Sequence, residues 1–196
     1  MQRINQPIDI GRRVVVWGAT GSGKTTFTHR LGGLLGLTVV ELDGIRHARG
    51  WDSTDWPEFR DILTKRLDGA AQGWVTDGSY SRIYDVYLSR ADTLIWINLP
   101  WRVSFRRLLK RTVTRAWTKE PLYNDDGPRE SWRLSFFDSR SILWWSISYY
   151  RPHVSNTRER IAGLREDVKI YELRSSREVA AFLSALEATA AALSPG

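Results

Sequence analysis

The chain has no cysteine. Disulfides and thiolate metal sites are therefore excluded, and redox chemistry does not fix a compartment. It has only three histidines, His29, His47 and His153, and their separations match no metal-ligand spacing, so no metal is assigned to them. Long apolar runs are missing too. Val14–Trp17, Leu94–Leu99 and Ile142–Tyr150 are the most apolar stretches, and each falls well short of the ~18 residues that suggest a membrane span. The last carries two serines and lies between Arg140 and Arg151, as a core or cleft-facing helix would. Met1 to Asp9 holds no apolar segment of a secretory leader. A cytoplasmic location is expected. One absence is local: from Thr93 to Lys119 there is no acidic residue.

What is present is 196 residues with a formal net charge of +7 and ten tryptophans. That length suits one domain with an insertion, residues 1–196 as a unit, with a core large enough to need no staples. The positive charge points to nucleic acid, an anionic surface or a polyanionic small molecule, and its location decides among them.

Five short apolar runs, Val14–Trp17, Val39–Leu42, Trp74–Thr76, Leu94–Leu99 and Val168–Leu173, alternate with helix-like stretches. They do not alternate cleanly with polar residues, as befits strands buried on both faces of a parallel sheet. The fold class is thus α/β, a three-layer sandwich of helices about a parallel sheet. Lys24–Leu35 reads as a helix ended by Gly36. Asp55-Trp56-Pro57-Glu58 and Ser175-Ser176-Arg177-Glu178 each read as a capping box that opens a helix. Residues 118–152 break the rhythm with Pro121 and Asp125-Asp126-Gly127-Pro128, then turn aromatic, with Trp132, Phe136, Phe137, Trp144, Trp145 and Tyr149 at helical spacing. That segment reads as a helical insertion, the usual form of a lid.

The chemistry starts at Gly18-Ala19-Thr20-Gly21-Ser22-Gly23-Lys24-Thr25-Thr26. Gly18, Gly23, Lys24 and Thr25 meet the pattern G-x-x-x-x-G-K-[ST] between an apolar strand and a helix. The glycines let the backbone curl so that several N–H groups converge on a phosphate. The helix that follows aims its positive end at the same point. Lys24 reaches the β- and γ-phosphates and Thr25 ligates Mg²⁺. ATP and Mg²⁺ are therefore the expected cofactors.

Two acids close strands: Asp43 after Val39-Val40-Glu41-Leu42 and Asp77 after Trp74-Val75-Thr76. Ligands of open α/β sheets sit beyond such ends. A carboxylate there holds Mg²⁺, directly or through water, or accepts the proton of an attacking hydroxyl; otherwise it is a turn acid. Asp77 pairs with Thr25 as the expected metal site. Trp51 and Trp56 lie between the second strand and the next helix, in reach of a substrate.

The acid-free stretch carries Arg102, Arg106, Arg107, Lys110, Arg111 and Arg115 in two rows of period four. Phe105, Leu109, Thr112 and Ala116 form the face expected to pack. Three readings compete: a clamp on the transferring phosphoryl group with Arg107, Arg111 and Arg115 foremost, a non-specific nucleic-acid footprint, or a solvated face.

At this point the chain resembles adenylate-kinase-like enzymes, through Asp43-Gly44-Ile45-Arg46 and Asp77-Gly78-Ser79-Tyr80-Ser81-Arg82. It resembles more closely the bacterial group labelled "DNA topology modulation protein", through the GSGKT loop, Leu42-Asp43 with Trp51 nearby, Gly73-Trp74-Val75-Thr76-Asp77-Gly78-Ser79-Tyr80 and Arg90-Ala91-Asp92-Thr93, over residues 12 to about 180. The resemblance implies strand order 2-3-1-4-5, an acceptor region over 44–72 and a lid after the fourth strand. It also implies acceptor contacts from Asp43, Arg46, Asp77, Tyr80 and Arg82. There are departures: adenylate kinases carry Asp-Gly-Phe-Pro-Arg after the third strand, whereas this chain has the longer Asp-Gly-Ser-Tyr-Ser-Arg. The expected activity is ATP-dependent phosphoryl transfer to a nucleotide, nucleoside or other small acceptor, by a monomer or homodimer. The alternatives are a nucleotide-binding regulator that holds nucleic acid on the basic helix, and a kinase of a drug or sugar nucleotide.

Overall fold

The computed structural model describes residues 8–47, 54–118 and 142–193. Chain order is β1 (Arg13–Gly18), α1 (Lys24–Leu35), β2 (Thr38–Glu41), α2 (Leu42–Arg46), α3 (Trp56–Asp68), β3 (Trp74–Asp77), α4 (Tyr84–Leu88), β4 (Thr93–Ile97), α5 (Trp101–Thr118), α6 (Ile142–Ala162), β5 (Lys169–Leu173) and α7 (Ser176–Leu193). The five strands form one parallel sheet in the order β2-β3-β1-β4-β5. The strand order and the α/β class match the expectation.

Alternation along β1 explains the layers. Val14 and Val16 face Phe27 and Leu31 of α1 and Phe182, Leu183 and Leu186 of α7. Val15 and Trp17 face Phe59, Leu63 and Leu67 of α3, Val86 and Tyr87 of α4, and Val154 and Ile161 of α6. Both sheet faces are covered, which is why the strands read as unbroken apolar runs. Trp17, Trp74 and Trp96 are buried in this core, so several of the tryptophans are structural ballast.

The N-cap half of each expected capping box is present. Glu58 N donates to Asp55 Oδ1 at 2.8 Å, and Glu178 N donates to Ser175 Oγ at 3.1 Å. Glu178 returns the favour one residue early, accepting from Arg174 N at 2.8 Å.

Two local expectations are corrected. Asp43 does not end a strand: β2 stops at Glu41, and Asp43 sits in the first turn of α2, where an acid is favoured by the helix dipole. In α5 Thr112 is buried as expected, but it is joined by Ser104 and Leu108, while Phe105 and Leu109 are only half-buried and the Ala116 side chain falls outside the described residues. The shift follows from what α5 packs on, a glycine-rich backbone that demands small groups (below). Of the expected insertion, 142–152 lies inside α6. Residues 119–141, with Trp132, Phe136 and Phe137, fall outside the described residues, as does Trp51.

Candidate functional site

The site lies where β1, β2 and β3 end. The loop from β1 to α1 turns through Gly21 at φ 81° and Gly23 at φ 89°. Side chains strain in that region; glycine does not. Ser22 N donates to Ala19 O at 3.0 Å, closing the curl. Gly23 is the N-cap of α1, no side chain caps the helix, and its first turn holds no acid. The first N–H groups of α1 are thus unclaimed and aimed at the loop, a ready anion cradle.

Gly21 also makes a close approach. A Cβ there would stand 2.3 Å from the Ser104 carbonyl of α5. This contact selects Ser104 and Leu108 as the buried face of α5. Arg107, one residue before Leu108, crosses the loop. It donates to Ser22 O at 3.3 Å and to Ser176 Oγ, at the start of α7, at 2.9 Å. Arg111 and Arg115 are half-buried, whereas Arg102, Arg106 and Lys110 are exposed.

Thr25 and Asp77 meet as expected: Thr25 Oγ1 donates to Asp77 Oδ2 at 2.6 Å. Asp77 is 3% exposed. Burial pushes its carboxyl above the usual range, the Thr25 hydrogen bond and the Lys24 ammonium pull it down, and Asp43 and Glu41 push it up again. The hydroxyl, the buried carboxylate and the uncapped helix end fit a magnesium–triphosphate complex. Mg²⁺ asks for one or two carboxylates and takes its remaining ligands from phosphate and water. Among the described residues, no group of three or more His, Cys, Asp or Glu is placed to hold a metal ion.

Glu41 escaped the sequence reading. It pairs in register with Asp77 on the neighbouring strand and lies 2.7 Å from His29 Nε2. Only strand register reveals it. His153 escaped as well. It lies on α6, its Nε2 is buried without a hydrogen-bond partner, and burial, then Lys24 and Arg160, lower its pKa. Tyr150 anchors that helix by donating to Leu99 O at 2.6 Å.

Beside the loop, α2 and α3 build a second half-site. Tyr80 Oη donates to Asp43 Oδ1 at 2.6 Å. The guanidinium of Arg46 lies 4.2 Å from the centre of the Trp56 ring and that of Arg82 5.1 Å. Arg46 Nη1 is buried without a hydrogen-bond partner. Trp56, Pro57, Arg60 and Arg82 line an open hollow of about 460 Å³. Arg60 is already matched by Asp85, at 2.5 and 3.0 Å. The structure thus brings together Lys24, Thr25, Asp77 and Asp43 at the strand ends, and Arg46, Tyr80, Arg82 and Trp56 beside them.

No protein-family model matches the chain. Over 134 residues it is 31% identical to a shikimate kinase of Paramagnetospirillum magneticum, covering 62% of this chain and 66% of that protein, just under two thirds of its length. In fold it is similar to TT1252 of Thermus thermophilus, with a TM-score of 0.53, 17% identity, and 95% and 100% of the two chains covered. It is also similar to a shikimate kinase of Bacteroides thetaiotaomicron, with a TM-score of 0.51, 16% identity, and 90% and 96% covered.

Proposed function

We propose that a chain with this P-loop kinase fold moves the terminal phosphoryl group of ATP to a hydroxyl of a small acceptor that carries an anionic group. The observation that carries the reading is the Thr25–Asp77 hydrogen bond of 2.6 Å beside Lys24, at the mouth of an uncapped helix. Those residues suit a triphosphate and its magnesium ion and little else. When bound, Mg²⁺ neutralises phosphate charge, with Thr25 and Asp77 to hold it.

The chain's own groups do the rest. The N–H groups of Gly21 to Thr26 hold the phosphates, and Lys24 balances charge on the transferring group. Asp43 accepts the acceptor's hydroxyl proton as the new O–P bond forms and the bond to the ADP oxygen breaks. Arg107, bound to Ser22 O and Ser176, steadies the donor loop. Arg111 and Arg115, further along α5, are the candidates for the transferring phosphoryl group. Arg46 and Arg82 put two guanidiniums on one indole. Cations so close repel, and an anion on the acceptor relieves them. Carboxylates and phosphate monoesters both qualify. Shikimate, in the name of the Paramagnetospirillum relative, is one hydroxy acid of the kind, and a nucleoside monophosphate is another candidate. The narrower likeness to the "DNA topology modulation protein" group rests on sequence segments and names no acceptor.

The test is ATP turnover against a panel of hydroxy acids, sugar acids, sugar phosphates, nucleotides and their neutral counterparts. We expect transfer to an anionic acceptor and not to its neutral counterpart. Lys24→Ala should remove turnover, by about 10²-fold or more if charge stabilisation is the main contribution. Full transfer activity in Lys24→Ala would refute the mechanism.

A further inference from the structure

Tyr80 is not needed to explain anion binding or the triphosphate site, yet its hydroxyl is committed to the one carboxylate assigned to the acceptor's proton. The 2.6 Å hydrogen bond takes up Asp43 Oδ1. A carboxylate has room for further donors, so this bond leaves Asp43 able to take an acceptor hydroxyl on Oδ2. Asp43 itself sits on α2, a helix of five residues, too short to hold a side chain by its own rigidity.

Tyr80 is better anchored than the residue it touches. Its ring meets Phe59 edge-on, with centroids 5.5 Å apart and planes at 85°. Phe59 is fully buried. A second edge contact joins the Tyr80 ring to Trp56, at 6.1 Å and 63°. Just behind, Tyr84 Oη donates to Ser79 O at 3.0 Å and fixes the adjoining backbone. The hydroxyl is therefore presented by the core of the α3 face, and Trp56, the indole under Arg46 and Arg82, is part of the same aromatic cluster.

We propose that Tyr80 is a positioning residue for phosphoryl transfer. It locks the plane of the Asp43 carboxylate, dedicates Oδ1 to itself, and leaves Oδ2 as the oxygen that takes the proton. Its contact with Trp56 ties that aim to the arginine-bearing indole, so an anion seated on Arg46 and Arg82 steadies the reacting carboxylate as well as the acceptor. The inference rests on the kinase reading of this site.

The variant is Tyr80→Phe, which keeps the ring and its edge contacts and removes only the hydroxyl. It is assayed with ATP and whichever acceptor the wild-type protein phosphorylates, alone and combined with Asp43→Asn, with thermal melts of all forms. For the single variant we expect kcat to fall about tenfold, the scale of one hydrogen bond to a charged group, with acceptor KM and melting midpoint unchanged. In the Asp43→Asn background the same change should cost nothing further, because two residues that act as one unit are non-additive. An equal loss in both backgrounds, a change in KM alone, or an unaltered kcat would each overturn the assignment. A wild-type protein that phosphorylates no acceptor would overturn the kinase reading itself, and this inference with it. An active wild type with an unaffected Tyr80→Phe overturns this inference alone.

Discussion

Asp77 works against the stability of the fold that holds it. A buried carboxylate is expensive to ionise, and the Thr25 hydroxyl and Lys24 ammonium only partly offset the cost. Its folded pKa is raised. Its favourable share of stability is therefore complete below the unfolded value near 3.8 and is lost as pH rises through the folded value. Once ionised, the group is a net burden. Asp77→Asn keeps the shape and an acceptor for Thr25 while removing the charge. The expected result is a higher melting midpoint, by about 2–4 °C for each kcal/mol relieved. Metal affinity or turnover should fall by roughly 10–100-fold. Melting curves and magnesium titrations on the one variant check both halves. A lower midpoint would show that the charge is better compensated than its burial suggests.

At the scale of elements, α3 delivers Trp56 to the hollow from its first turn. The cap that starts it, Asp55 Oδ1 to Glu58 N at 2.8 Å, is adjacent to the indole that carries both arginines. Asp55→Ala should cost about 1 kcal/mol of stability. It should also raise KM for the anionic acceptor more than KM for ATP, because the donor loop is built from β1 and α1. Separate Michaelis curves for the two substrates test that asymmetry.

The same elements show what local sequence carried. The phosphate loop, both N-caps and Asp77 were readable because each is a short, contiguous pattern with its own chemistry. The strand order came with the resemblance rather than with the residues. The buried face of α5 was only partly readable, with Thr112 buried as expected. Periodicity favoured Phe105 and Leu109, but the partner is the backbone at Gly21, which accepts Ser104 and Leu108 instead. Glu41 and His153 were hidden for a related reason, since one is joined to the site by strand register and the other by the packing of a distant helix. α2 left no periodic trace because it is five residues long and contains Gly44.

For the whole molecule, the formal charge of +7 is not spread evenly, and the half-buried imidazoles of His47 and His153 feel it. His153 is lowered by burial and then by Lys24 and Arg160. His47 is lowered by burial and by Arg46, with Asp43 opposing. For a base whose folded pKa is depressed, the unfolded chain binds protons more readily. Stability from both groups is therefore complete above the unfolded value of 6.5 and is lost as pH falls from there toward the folded values. Melting midpoints should be level between about pH 7 and 8 and decline below about 6.5. His153→Gln should flatten part of that decline, which sets the imidazole's share apart from that of Asp77. A profile identical to the wild type would mean that His153 is not desolvated in solution.

The contact between Gly21 and the Ser104 carbonyl has a mechanical consequence. With no room even for a methyl group between them, the phosphate loop and α5 cannot slide past each other, and Arg107 bolts the pair to the start of α7. The donor half of the cleft is one stiff jaw. On the kinase reading, the described elements that face this jaw are α2 and α3, which carry Asp43 and Trp56.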